Sequence, residues 1–135
     1  MKINTNELKK KLQERLVTKE QAYAEVGANL IDFSIFPKSK REYKEAQYDT
    51  EIIVEAARKI EKECGYGEID WSNGNQPKWQ PWFFMSPSGF RFGDSRYDRS
   101  DACAGSGSRL HVLSEIASDH IGTTFSEIWE KVQLK

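Results

Sequence analysis

From residue 78 to residue 113 the chain reads KWQPWFFMSPSGFRFGDSRYDRSDACAGSGSRLHVL, and this run limits the fold more than any other. Large rings recur through it, and clusters of Gly, Pro, Ser and Asp break it into short pieces. That pattern predicts a three-stranded antiparallel meander. Strand one covers about residues 78–85, and Ser86-Pro87-Ser88-Gly89 makes the turn. Strand two covers about 90–97, a polar loop runs over 98–108, and strand three covers 109–113. Pro81 has no N–H to give a ladder, so strand one is expected at an edge or beside a bulge.

Side chains alternate across a strand. Trp79, Pro81, Phe83 and Met85 therefore point one way, and Trp82 and Phe84 the other. Phe90 and Phe92 share a face, with Arg91 and Tyr97 behind it. Leu110 and Val112 oppose Arg109, His111 and Leu113. Both sheet faces carry rings, and one terminal helix covers only one of them. The second face is either covered by the long central helix or exposed as a binding platform.

The rest of the chain supplies helices. Leu8, Leu12 and Leu16 form a narrow apolar stripe on a first helix over 5–16. Thr18 and Gln21 make a capping box that opens a second helix, which Gly27 ends in the left-handed region. The apolar segment before Pro37 reads as a buried connection or one further helical turn. A capping box at Ser39 and Glu42 opens the longest helix. Tyr43, Ala46, Thr50, Ile53, Ala57, Ile60 and Cys64 share its stripe, flanked by Ile52 and Ala56, and Gly65 and Gly67 stop it. Asp49-Thr50 is a place where this helix can restart. Ser114 caps a last helix over 115–132. The fold class expected is α+β: N-terminal helices, a three-stranded antiparallel β-meander, and a C-terminal amphipathic helix packed on the sheet. At 135 residues the chain is expected to form one domain, helical over 1–66 and β-β-β-α over 67–135.

The formal net charge of −1 argues against an obligatory polyanion or membrane partner. MKINTNELKKK shows no apolar stretch after its charges, no run reaches the ~18 apolar residues of a membrane helix, and Cys64 and Cys103 are too few for a disulfide framework. A cytoplasmic protein with reduced thiols is expected.

The segments DWSNGNQPKWQPWF, MSPSGFRF and AGSGSRLHVLSE, followed by an amphipathic helix containing FSEIW, carry a resemblance. Asp70, Trp71, Ser72, Asn73, Lys78, Trp79, Pro81, Trp82, Phe83, Gly89, Phe90, Phe92, Gly107, Ser108, Arg109 and Leu110 match the pattern. In it, a W-S-N turn leads to K-W/Y-x-P-W-F, G-F-x-F and G-S-R-L strands and a closing helix. The chain thus resembles a family of small phage, prophage and mobile-element proteins of gut bacteria, over about its last two-thirds and loosely over its first third. His111 and Val112 stand where that family often has Cys and Phe. The resemblance implies the architecture and a phage-type origin in a bacterial cytoplasm, and brings no activity with it.

Two function classes follow. The leading one is a non-enzymatic accessory protein that binds another protein through the aromatic strands. The alternative is single-stranded nucleic-acid binding. Gly89-Phe90-Arg91-Phe92 echoes the G-F-x-F centre of an RNA-recognition strand, and stacked bases are worth about 1–3 kcal/mol each. The candidate residues are Trp79, Trp82, Phe84, Phe90, Arg91, Phe92, Arg96 and Arg109. Against the nucleic-acid reading stand the strand order, which lacks a split β-α-β, and a net charge near zero. Against both stands the plain reading that the rings are core.

Other motifs are bland. Gly105-Ser106-Gly107-Ser108 is a flexible turn before it is an anion nest, and Arg109 is an anchor for a carboxylate such as Asp70 or Asp94. Asp70-Trp71-Ser72-Asn73 is an Asx-type turn, and Asp94, Asp98 and Asp101 are solvated turn residues. Cys64, Cys103, His111 and His120 have no metal-ligand spacing. Neither a catalytic triad nor a clean recognition helix is visible. No cofactor or metal is expected.

Overall fold

The computed structural model describes residues 2–73, 75–86, 89–98 and 110–134, without the side chains of Ser86, Tyr97, Asp98 and Leu134. Among the described residues the order is α1 (Thr5–Arg15), α2 (Lys19–Val26), a 3-10 turn (Phe33–Ile35), α3 (Lys38–Glu63), β1 (Lys78–Ser86), β2 (Gly89–Asp98), α4 (Glu115–Thr124) and α5 (Ser126–Leu134). The class is α+β, with an antiparallel two-stranded sheet.

Asn4 starts α1 by accepting the Glu7 N–H, and Leu8, Leu12 and Leu16 are all buried. At Thr18 the capping box is complete in both directions, and Gly27 ends α2 at φ 70°. An arginine locks the first three helices. Arg15 of α1 donates Nε and Nη2 to Glu25 of α2 at 2.7 and 2.6 Å. It also donates Nη1 and Nη2 to Glu63 of α3 at 2.7 and 2.9 Å. Those bonds hold the Glu63 carboxyl down at about 2.

Helix α3 is the hub, packing on α1, α2, α4 and α5. Its predicted stripe is buried from Ala46 through Cys64, but so are Val54, Asp49 and Glu61. A helix covered on several sides buries more than one stripe. Two details differ from expectation. Pro37, not Ser39, is the N-cap, and no side chain caps the helix. The helix also runs unbroken through Asp49-Thr50. The Asp49 carboxylate is occupied by the Tyr23 hydroxyl (2.6 Å) and Lys19 (3.4 Å), and the Thr50 hydroxyl donates to the Gln47 carbonyl. Neither side chain is left to compete for local backbone N–H groups.

The segment before Pro37 does form a helical turn, but its aliphatic residues are not buried. Leu30, Ile31 and Ile35 are exposed, whereas Phe33 turns inward onto Tyr48 at 6.1 Å.

The expected three-stranded meander is not formed: the described residues give a hairpin plus one bridge, and that bridge joins Val112 to β1, whereas a meander would place it on β2. Trp79 and Val112 exchange both backbone hydrogen bonds, at 2.7 and 2.8 Å. Leu110 falls in a 3-10 turn, and Arg109 lies outside the described residues. The next hydrogen-bonded pairs on that ladder would fall two residues to either side of Trp79, at Pro77 just before β1 and at Pro81 within it. Neither has an N–H. On the other side of Val112, helix α3 takes the free groups: Arg58 donates to the His111 carbonyl (2.7 Å) and Glu61 accepts the Leu113 N–H (2.9 Å).

The closing helix is two helices rather than one. Gly122-Thr123-Thr124 is a run of poor helix formers, and Phe125 leaves helical geometry at φ −112°. Phe125 and Trp129 are both buried in the core.

Candidate functional site

The β1–β2 register pairs Trp79 with Tyr97, Pro81 with Ser95 and Trp82 with Asp94. Phe83 then pairs with Phe92, leaving Gly93 as an extra residue in β2. This bulge inverts the alternation. In a regular strand Phe90, Phe92, Asp94 and Arg96 would share a face. Here Phe90 and Phe92 face inward, while Asp94 and Arg96 move to the outer face with Arg91.

The inner face belongs to the core. Phe83 stacks on Phe90 at 4.7 Å, meets Phe92 edge-on at 6.1 Å and leans on Trp129 at 5.8 Å. Trp79 packs against the same core. Gly122 of α4 lets the Phe92 ring and Pro81 press directly on the helix, because a Cβ there would lie 2.6 Å from Phe92. The Ser95 hydroxyl donates to Asp119 (2.6 Å) and shares a hydrogen bond with the Ser118 hydroxyl (2.7 Å). The candidate residues Trp79, Phe90 and Phe92 turn toward the protein, so Phe90 and Phe92 do not share a platform with Trp82 and Phe84.

The outer face holds Trp82, Phe84, Arg91, Asp94 and Arg96. Trp82 and Phe84 keep 42% and 45% of their surface exposed. Each ring carries a guanidinium. Arg91, directly opposite Phe84, lies 4.8 Å from its centroid, and Arg96 reaches diagonally to within 4.5 Å of Trp82. Arg96 also approaches Asp94 at 3.6 Å. Gly93 makes the arrangement possible, since a Cβ there would lie 2.6 Å from the Phe84 ring. Of the eight residues expected at a site, the structure brings Trp82, Phe84, Arg91 and Arg96 together. A glycine inside a ring-rich strand was the available signal for the bulge.

A second polar cluster lies under Val112. Glu61 is fully buried and accepts from the Leu113 N–H and the Ser114 hydroxyl (2.9 and 2.5 Å). Ser114 in turn accepts the Ala117 N–H that opens α4. Burial pushes the Glu61 carboxyl up to about 7, against the pull of those donors and of Arg58. Nearby, buried Lys78 donates to the Asn73 and Gln76 carbonyls and sits 5.6 Å from the Trp71 ring, which meets His111 edge-on. Asp70 makes the expected Asx turn onto Ser72. These groups build the loop and the helix start; sequence reading missed both Glu61 and Lys78.

His120 bonds the Leu16 carbonyl through Nε2 at 2.5 Å, and burial lowers its pKa. As the neutral ring it donates to the carbonyl of Leu16, the C-cap of α1, which has no intrahelical partner. Ser114 is engaged as a helix cap and the Cys64 thiol is buried, its pKa raised by burial. Among the described residues no group of three or more His, Cys, Asp or Glu side chains could hold a metal ion. No described helix is long and apolar enough to cross a membrane. Cys103, Asp101 and the 105–109 loop lie outside the described residues.

No protein-family model matches this chain, and neither a curated protein nor a solved structure matches it.

Proposed function

We propose that the protein is a non-enzymatic accessory protein of a phage or mobile element, acting in its bacterial host's cytoplasm by binding another protein through the outer face of the hairpin. The observation that carries the reading is the pair of half-exposed rings, Trp82 and Phe84, each held under a guanidinium. Trp and Arg are the residues most enriched at binding hot spots. Rings already fixed by a cross-strand partner lose little entropy when a partner docks on them. A photo-crosslinking amino acid at position 84 identifies the partner, which is then titrated in purified form. Trp82→Ala should weaken binding about 30-fold, the ~2 kcal/mol of a hot-spot residue. Unchanged affinity in both Trp82→Ala and Arg96→Ala would refute the reading.

One observation favours a second reading, single-stranded nucleic-acid binding: Arg91 and Arg96 are interleaved with the rings. The guanidiniums, however, already occupy a face of each ring, and Asp94 sits between them. A labelled oligonucleotide that shows no binding even at low salt excludes this reading.

A further inference from the structure

A second surface lies well away in sequence from the hairpin. In the connection between α2 and α3, Leu30, Ile31 and Ile35 keep 64%, 47% and 80% of their surface exposed. These aliphatics are not on a loose loop. The Asp32 carboxylate accepts the Ser34 N–H and hydroxyl, both at 2.9 Å, which closes the 3-10 turn. Arg41 reaches back from the first turn of α3 and donates to the Phe36 and Ser34 carbonyls at 2.9 and 3.1 Å. Phe33 stacks with Phe36 and leans on Tyr48, so the rings anchor the turn while the aliphatics stay in water.

Beside this tip cations outnumber anions. Residues 38–44 contain Lys38, Lys40, Arg41 and Lys44 against Glu42, with Asp32 inside the turn and Glu45 following on α3. Lys38, Lys40 and Arg41 are exposed, and Lys44 lies 5.7 Å from the Phe36 ring. The net charge of the whole chain conceals this local excess.

We propose that this tip is a peripheral docking site for an anionic lipid bilayer, with Leu30, Ile31 and Ile35 entering the headgroup–acyl boundary and Lys38, Lys40 and Arg41 meeting lipid phosphates. The composition selects lipid over protein. Lysine is depleted at protein interfaces and leucine is under-represented among hot spots. Aliphatics flanked by lysines are what an anionic bilayer surface takes, because the apolar part is buried while long cationic side chains stay at the headgroups. The turn's internal bonds mean that the apolar residues are presented without further ordering cost.

The test is co-sedimentation of the full chain with vesicles of phosphatidylcholine, alone or mixed with phosphatidylglycerol. Binding is expected to the mixed vesicles only and to weaken with salt. Lys38→Gln and Lys40→Gln should each lower the partition coefficient about fivefold, the effect of about 1 kcal/mol per basic side chain. Ile35→Asp should lower it about tenfold or more. The substituted residues are exposed, and unchanged circular dichroism confirms that each variant folds. As a second readout, Ile35→Cys in a Cys103→Ser background carries an environment-sensitive dye, whose emission should shift to the blue on mixed vesicles. Trp82→Ala should leave vesicle binding unchanged, which separates this site from the hairpin. No binding to mixed vesicles would overturn the proposal. So would binding that survives Ile35→Asp, because that is surface adsorption by charge alone, or binding that Trp82→Ala abolishes.

Discussion

Replacing Glu61 with glutamine should remove a pH dependence of stability that the wild type carries. The carboxyl sits at about 7 in the folded chain, against an ordinary 4.5. Between those values the native state holds a proton that the unfolded state has lost. Stability from this group is therefore fully present below pH ~4.5 and is lost as pH rises through ~7. The gap of about 2.5 pH units, at about 1.4 kcal/mol each, amounts to about 3–4 kcal/mol. Urea unfolding of both proteins across this range gives the difference in unfolding free energy at each pH. Taking the difference cancels the opposing contribution of His120, whose lowered pKa makes the fold lose stability as pH falls through the ordinary histidine range. Wild type minus Glu61→Gln should fall by about 3–4 kcal/mol from the acid to the alkaline end. A difference flat within about 1 kcal/mol, the size of one ordinary hydrogen bond, would refute the raised pKa and with it the account of this carboxyl as a dry anchor for α4.

Gly122→Ala should destabilise by about 1–3 kcal/mol in thermal or urea melts, although helix propensity alone favours alanine by about 1 kcal/mol. The added methyl would meet the Phe92 ring at 2.6 Å and Pro81 at 2.8 Å; a stabilised variant would contradict this packing. In a Cys103→Ser background, Cys64 should react with a thiol reagent about three orders of magnitude more slowly in the folded than in the unfolded protein, since it must open to be reached. Labelling kinetics with and without denaturant measure that ratio.

Much of the helical part was legible in the sequence because its signals are local. The Leu8-Leu12-Leu16 stripe, the Thr18–Gln21 capping box and the Gly27 stop each use residues within a turn or two of one another. The α3 stripe was equally readable. Two buried ionisable groups were not. Glu61 lies 52 residues from the N–H it accepts, and Lys78 bonds carbonyls in a loop whose shape no periodicity reports. The aliphatics before Pro37 looked like core by composition, yet it is the Phe33 ring that meets Tyr48 while Leu30, Ile31 and Ile35 stay exposed.

The sequence by itself determined that β1 and β2 would pair around the 86–89 turn, that their rings would divide between two faces, and that the class would be α+β. Alternation and turn chemistry are properties of adjacent residues, so they are readable before any tertiary contact is known, up to the Gly93 bulge that resets the alternation. Only the tertiary structure decided which arginines meet which rings. The Gly93 bulge moved Arg96 onto the face of Trp82, and Gly122 drew Phe92 against α4. Prolines 77 and 81 were visible from the start. Their consequence, a third strand cut to one residue pair, became visible only once Val112 was seen opposite Trp79, because a missing N–H matters only where a partner strand would have used it.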